Sequence, residues 1–395
     1  MAATIRDVAR RARVAIGTVS RVVNHHPEVN GELRARVLRA AQELGYRPNA
    51  RARSFARNSS AVLSFILSNR DFLHPFHSHV LQGVQEYCED AGYFVMYTRF
   101  RYSPTASPAK ITLPGVLQSH GVADCVVLAG VNYDNFIGVL EKHDVHYVLL
   151  ANNFVTKRRR ELVDQVRFDD FTGATEATRY LIQLGHEHTW YIGDTSLPWY
   201  RTRYEAFVQA MREAGLQPKA QTLAMSDDRF LNGLESVQLL LERKEPVTAI
   251  FAGTDDVAYG AWEGIRRHGM HVPRDISLIG FDDQQGFPHM PSLTSVHVDT
   301  EEIGRQLAKM AIAKIQGRPE SKLNIGGCTD APHPGHLTGF PPRSPFLHRH
   351  AVLRVGSARK SRRLHKPLLA RPRNLDRISS QQSSRTINSP QARKS

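Results

Sequence analysis

From residue 61 to residue 280, short apolar runs alternate with segments whose apolar residues recur at helical spacing. That alternation leaves few architectures open. A strand buried on both faces needs helices to cover it, and a parallel neighbour needs a crossover long enough to hold one. The spacing predicts strands at 61–67, 94–98, 122–128 and 147–151, with helices at 80–91 and 136–143. A second series predicts strands at 166–168, 189–192, 249–252 and 277–280, with helices at 174–184, 203–214, 234–241 and 258–268. Two such series imply two doubly wound parallel α/β lobes facing across a cleft, a ligand-binding architecture. In such sheets the ligand sits beyond the carboxyl ends of the strands.

Charge divides the rest of the chain. Residues 1–58 carry 12 Lys/Arg against 4 Asp/Glu, a net +8, and residues 321–395 carry 15 against 2, a net +13. The stretch between them, 59–320, is net −7. A small basic head points to nucleic acid, and an acidic body does not. With 41% hydrophobic and 23% charged residues, wholesale disorder is excluded. The cysteines Cys88, Cys125 and Cys328 are far apart and form no C-x-x-C pair. A disulfide framework and a structural zinc site are both poor readings, and a reducing compartment is the better one. No apolar run approaches the roughly 18 residues of a membrane span, and no apolar signal core follows Met1. The expectation is a cytoplasmic protein with no membrane partner.

In the head, Thr4 stands where a helix N-cap belongs, and Ile5, Val8, Ala9 and Ala12 follow at helical spacing. Val19, Val22 and Val23 form a second short apolar face. Leu33, Val37, Leu38, Ala41 and Leu44 form a third, which stops at Gly45. Three short amphipathic helices in under 50 residues make a trihelical helix-turn-helix unit over 1–46, whose second helix enters the major groove. Any small basic three-helix bundle shows the same stripes, so periodicity alone leaves DNA binding open.

The wording closes that gap. Thr4-Ile5-Arg6-Asp7-Val8-Ala9, then Thr18-Val19-Ser20-Arg21-Val22-Val23-Asn24, then Leu44-Gly45-Tyr46-Arg47-Pro48-Asn49 closely resemble the lactose-repressor (LacI/GalR) family of bacterial transcription regulators. The resemblance runs from about residue 4 to about residue 317. Carried over position by position, it implies that Ile16, Gly17 and Arg21 face base edges and that Thr4, Thr18, Ser20 and Asn24 contact phosphates. Arg21 suits a bidentate guanine contact, and Ile16 offers apolar contact to a thymine methyl. The hydroxyls fix register without carrying sequence information. Two positions depart from the family pattern: Arg13 replaces the usual turn glycine, and Ala15 replaces the usual serine cap of the second helix. A left-handed non-glycine residue costs roughly 1–2 kcal/mol and a lost cap about 1.

Residues 47–60 read as a hinge, helix-forming but poor in apolar surface, so unstable as a helix alone. The bland reading is a basic linker. The resemblance implies a helix that pairs in a homodimer and presses into the minor groove, with Phe55 as the wedge and Arg51 on a phosphate.

For the body, 61–320, the resemblance names a two-lobed effector-binding and dimerisation domain like the periplasmic sugar-binding fold. It lines the cleft with Phe72, His74, Phe76, Asn152, Arg203, Thr254 and Asp282. A carboxylate and a guanidinium take hydroxyl groups as charge-assisted partners, and Trp199 and Tyr200 offer aromatic faces to C–H surfaces. A carbohydrate effector fits that set. The rival reading is that Arg203 and Asp282 pair with each other as scaffold. His74, His77 and His79 crowd three imidazoles together, but without a fixed carboxylate or thiol they read as loop and cap histidines rather than a metal site. No phosphate loop, Ser/His/Asp elbow or H-E-x-x-H motif is present, so neither an enzyme nor a cofactor is expected.

After Gly317 the composition breaks. The resemblance implies a closing strand of the second lobe there, but 321–395 is an Arg/Ser/Pro-rich tail with no sustained apolar period, the composition of disorder. Three readings stay open: a basic tail adding non-specific DNA affinity, an accessory segment, or an out-of-frame end that leaves a disrupted regulator. The overall expectation is a sequence-specific repressor acting as a homodimer on double-stranded operator DNA, tuned by a small effector. A sugar-binding receptor without a regulatory role is the alternative.

Overall fold

The computed structural model describes residues 3–23, 28–46, 59–70, 74–156, 164–222, 224, 228–284, 290–318 and 323–325. At the N-terminus, Thr4 accepts the Asp7 amide while Asp7 Oδ2 accepts the Thr4 amide at 3.0 Å, a reciprocal cap that opens α1 (Ile5–Ala12). α1 ends where Arg13 turns left-handed, at φ 52° and ψ 52°. α2 (Ile16–Val23) starts from the Ala15 carbonyl, which accepts the Thr18 and Val19 amides. A methyl side chain gives that end no cap. α3 (Gly31–Glu43) starts at Asn30, whose side chain accepts the Glu32 amide at 2.8 Å, and stops before Gly45. Val8, Ala9, Ala12, Val19, Val22, Val37 and Ala40 form the core of the head. Leu38 and Leu44, expected on the buried stripe of α3, are exposed instead. The face of α3 turned to the other helices runs through Val37 and Ala40; Leu38 sits about 100° round the helix from Val37, and Leu44 is the C-cap, past the last helical residue.

In the body, β1 (Val62–Ser68) is buried almost throughout, and its side chains alternate between two cores. Leu63, Phe65 and Leu67 join the larger one, while Ile66 joins Val126, Leu128, Phe136 and Leu140 on the other face. α4 (Pro75–Ala91) follows, then β2 (Phe94–Phe100), β3 (Cys125–Gly130), α5 (Asp134–Lys142), β4 (Tyr147–Leu150) and β5 (Gln165–Phe168). The chain then builds the second lobe: α6 (Asp170–Gln183), β6 (Thr189–Ile192), α7 (Pro198–Glu213), β7 (Lys219–Gln221), α8 (Arg229–Glu242), β8 (Ala249–Ala252), α9 (Asp255–Arg267), β9 (Ser277–Asp282) and β10 (Thr294–His297). It returns to the first lobe in α10 (Thr300–Ile315) and β11 (Leu323–Ile325).

The first sheet runs β11-β5-β4-β3-β1-β2 and the second β10-β9-β8-β6-β7, parallel throughout. Two details correct the sequence reading. β5 was expected to open the second lobe, but it pairs with β4 and closes the first, because alternation marks a strand without naming its neighbour. The last described strand, β11, edges the first sheet beside β5 rather than the second, and it lies past the boundary at 320 that composition drew.

Each lobe is fastened by a helix pair at backbone contact. A Cβ on Gly83 of α4 would stand 1.9 Å from the Glu301 carbonyl oxygen, and one on Gly304 of α10 would stand 2.0 Å from that of Val80. α8 and α9 repeat the device through Gly233 and Gly260. The chain passes between lobes at Asp169, which caps α6, and at Asp299, which caps α10. These two crossovers place the carboxyl ends of both sheets face to face.

Candidate functional site

The cleft is built where strands stop and helices start. Arg70 follows β1, Asn153 follows β4, Phe168 ends β5, Thr254 follows β8 and Asp282 ends β9. Phe76 and His77 begin α4, Trp199 begins α7 and Arg229 begins α8. Together with Arg203 these residues line one cavity of about 20 Å³. That volume holds about one water, whereas a sugar-sized ligand needs several hundred Å³. The lobes are shut over the site.

Arg203 is the hinge of the arrangement. Its Nε donates to Asp170 Oδ1 at 2.7 Å, its Nη1 to the Gly253 carbonyl at 2.6 Å and its Nη2 to Asp282 Oδ1 at 3.0 Å. The guanidinium also lies 3.6 Å from the centroid of the Phe281 ring. Burial works against its charge, but the two carboxylates outweigh that and raise its pKa. Asp282 is pushed up by burial, which Arg203 only partly offsets. The scaffold reading of Arg203 and Asp282 therefore holds together with the cleft reading: both line the cavity while paired. Asn152 has turned away. Its amide nitrogen donates to the Phe168 carbonyl at 2.9 Å and to Asp170 Oδ2 at 2.7 Å, and its oxygen accepts the Phe168 amide at 3.1 Å. It braces the first crossover, and its neighbour Asn153 faces the cavity in its place.

His74 caps α4 by accepting the Phe76 amide at its Nδ1, and its Nε2 lies 2.7 Å from Asp256 Oδ2 of the second lobe. Arg229 reaches the same oxygen at 3.5 Å. Burial alone would raise the pKa of Asp256, but His74 and Arg229 hold it below the ordinary carboxylate range. Asp255 is the opposite case. Burial and the nearby Asp282 push it well up, although Ser295 and the Gln284 amide both donate to it at 2.6 Å. His77 Nε2 meets Asn153 Nδ2 at 3.3 Å. Tyr200 does not offer a stacking face: it is fully buried, its ring fills the space beside Gly193 and Gly253, and its hydroxyl meets Thr254 at 3.0 Å. Phe72 lies outside the described residues.

Sequence reasoning thus reached Phe76, Trp199, Arg203, Thr254 and Asp282 of the lining, and missed Arg70, His77, Asn153, Phe168 and Arg229. The only available signal was position, since each sits within three residues of a strand end or at a helix start. A larger cavity, about 410 Å³, lies on the first lobe beside Asp124, Cys125 and His146. These begin β3 and precede β4, so it sits at the amino ends of the strands, the wrong edge for a ligand in such a sheet.

In the head, Ile16, Gly17 and Arg21 lie exposed on one side of α2, with Thr18 and Ser20 half-buried beside them and Val19 and Val22 turned to the core. A Cβ on Gly17 would meet nothing within 4 Å, so backbone can be approached there. Thr4 is occupied: its hydroxyl donates to Asp7 Oδ2 at 2.6 Å and must rotate away to donate to a phosphate. Asn24, Arg51 and Phe55 lie outside the described residues.

Residues 4–49 match the family model of bacterial regulatory proteins of the lacI family, and residues 178–325 match a periplasmic binding protein-like domain. The HTH-type transcriptional repressor CytR of Escherichia coli is 31% identical over 320 residues, covering 80% of this chain and 91% of the relative. The chain belongs to the LacI family. Catabolite control protein A of Priestia megaterium is 31% identical over 307 residues, 77% of this chain and 90% of its own. Among solved structures, the Lac repressor dimer bound to operator and the anti-inducer ONPF superposes with a TM-score of 0.67 at 22% identity, over 86% of this chain and 100% of that one, a likeness of fold. The CelR–cellobiose complex gives 0.60 at 25% identity over 85% and 99%. This LacI-family chain is a DNA-binding transcription regulator rather than an enzyme, and no helix among its described residues is long and apolar enough to cross a membrane.

Proposed function

We propose that this protein is a cytoplasmic repressor that binds a near-palindromic operator as a homodimer and changes its operator affinity when a small polyol binds between the lobes. The observation that carries the reading is the union in one chain of an exposed Ile16–Gly17–Arg21 face with a closed, charged cleft at the carboxyl ends of two sheets. Arg21 reads a base edge, and Thr18 and Ser20 set register on phosphates. Asp282 accepts a ligand hydroxyl. The exposed Phe94, Met96 and Tyr97 on the edge strand β2 support a second copy, since solvent-facing apolar groups on an unpaired edge invite a partner. CelR binds cellobiose, and a LacI-family regulator of Enterococcus faecium binds ribose; both support a sugar-like effector here. Mechanistically, ligand entry changes lobe closure, which moves the paired hinges and biases operator affinity by a coupling of about 1–3 kcal/mol.

The test is a footprint of the full-length protein on the DNA upstream of its own gene, at near-physiological salt, with and without candidate sugars. A short symmetric protected site that responds to a sugar supports the reading. Diffuse, salt-sensitive coating refutes it. That result favours a second reading, a disrupted regulator, which the net charge of +13 over 321–395 supports.

A further inference from the structure

We propose that the effector is an acidic sugar, and that its phosphate or carboxylate docks between Arg70 and Arg229. The inference deepens the effector reading above and rests on it. Among the described residues, Arg70 Nε and Nη2 are buried and meet no hydrogen-bond partner. His77 is 2% exposed, and its Nδ1 is likewise without a partner. Because an amide nitrogen only donates, Asn153 Nδ2 makes His77 Nε2 the acceptor and leaves the ring proton on Nδ1. The orphaned groups on residues that line this cavity are therefore all donors.

Such a set is costly in a folded protein unless something supplies the acceptors. The charges point the same way. Arg70 and Arg229 both approach the Trp199 ring, at 5.3 and 6.0 Å from its centroid, so two guanidinium groups share one aromatic side chain. Burial, and then the Arg229 charge, pull the pKa of Arg70 down to about 9. Asp256 is the carboxylate nearest this pair, and it is already engaged by His74 and Arg229. Asp170 and Asp282 are held by Arg203. An oxyanion brings several acceptors and the missing negative charge at once, and a guanidinium fork binds it in bidentate fashion. A neutral sugar supplies only hydroxyls. Asp282, across the same cavity, remains to take a hydroxyl of the same ligand, which fixes the class as a polyol with one acidic end. A cavity of about 20 Å³ admits it only when the lobes part, and the His74–Asp256 contact is where they meet.

Inorganic phosphate is the first probe. Thermal unfolding of the full chain is followed while chloride is exchanged for phosphate at constant ionic strength, in wild type, Arg70→Met and Arg229→Gln. The basic head and tail attract phosphate equally in all three, so the difference between proteins reads the cleft. Phosphate should raise the wild-type midpoint, and half-saturation should need at least about tenfold more phosphate in the variants, the usual loss for a charged hydrogen bond. Arg229→Gln changes a partly exposed residue and keeps the test open if Arg70→Met fails to fold. Equal responses in all three overturn the proposal. In a second arm, glucose 6-phosphate and gluconate are compared with glucose. Preferential binding of either acid, lost in the variants, supports the site and tells phosphate from carboxylate. Binding of glucose with neither acid overturns the anion while leaving the effector reading intact. A phosphate response that depends on Arg70 but never moves the operator footprint keeps the anion site and removes the effector reading.

Discussion

Arg203 Nε donates to Asp170 Oδ1 at 2.7 Å, and Asp170 stands one residue past the cap at which the chain leaves the first lobe for the second. The other oxygen of Asp170 accepts Asn152 of the first lobe. One carboxylate thus joins the floor of the cleft to the crossover, and Arg203, a residue expected to touch ligand, is also tied through it to the first lobe. On sequence alone, Arg203→Ala should abolish the ligand response and leave operator binding intact. In this structure it strands two buried carboxylates, and breaking a buried ion pair from one side typically costs about 3–5 kcal/mol. Urea unfolding should show a loss of that size before any ligand is added. A variant as stable as wild type would return Arg203 to a purely ligand-binding role.

The contact between His74 and Asp256 makes part of the stability depend on acid. The pKa of Asp256 is depressed in the folded chain, so its contribution is present above the ordinary value of 3.8 and is lost as pH falls through the lower folded value. His74→Ala removes the main partner. Unfolding free energies measured from pH 5 down to pH 2 should fall less steeply in the variant, and the two proteins should converge at the acid end. Parallel curves would show that Arg229 alone sets the ionisation of Asp256.

In the head, Arg13 holds φ 52° without being glycine, at the cap of α1. Arg13→Gly removes that strain and loses some unfolded-state restriction, for a net gain of about 0.5–1 kcal/mol. Amide exchange in α1 and α2 should slow by roughly two- to fivefold while the lobes stay unchanged. Unaltered exchange would mean that the turn carries no strain to relieve.

The exposed face of α2 predicts how Arg21→Ala fails. Loss of a bidentate base contact should weaken operator binding by roughly 1–3 kcal/mol while random DNA is bound almost as before. Titrations on both DNAs at one salt concentration decide it. An equal loss on random DNA would make Arg21 a phosphate contact.

Much of this fold is legible because strands buried on both faces read as unbroken apolar runs. Thr189–Ile192 and Ala249–Ala252 coincide with the segments expected from pattern. Helix starts are harder. α4 and α7 each begin five residues before the expected position, at Pro75 and Pro198, because their first turns send Phe76, His77 and Trp199 toward the cleft rather than repeating the core stripe. β7 and β10 escape notice because Lys219–Gln221 and Thr294–His297 are short and largely polar. The cleft divides in the same way. Asp282 and Thr254 sit in recognisable phrases, but Arg70 looks like any basic residue after a strand. Only the packing of Trp199 and Arg229 around it shows that it has been left without an acceptor.

Two glycines in the first lobe look alike in sequence and should behave oppositely. Gly83 lies in the middle of α4, where a Cβ would meet the Glu301 carbonyl oxygen at 1.9 Å. Neither partner is a flexible side-chain end, so Gly83→Ala must push α4 and α10 apart, at a cost of about 1–3 kcal/mol or more. α10 begins at the Asp299 cap of the second crossover, so the same displacement should reach the cleft and weaken whatever ligand it holds. Gly138 lies within α5, and a Cβ there meets nothing within 4 Å. Gly138→Ala replaces a poor helix former without a clash and should stabilise by roughly 0.5–1 kcal/mol. Thermal unfolding of the two variants side by side, with ligand affinity measured on each, should give midpoints displaced in opposite directions and a weakened site only in Gly83→Ala. If Gly83→Ala matched Gly138→Ala, the helices would have room to separate and the backbone contact would not be what holds the lobe.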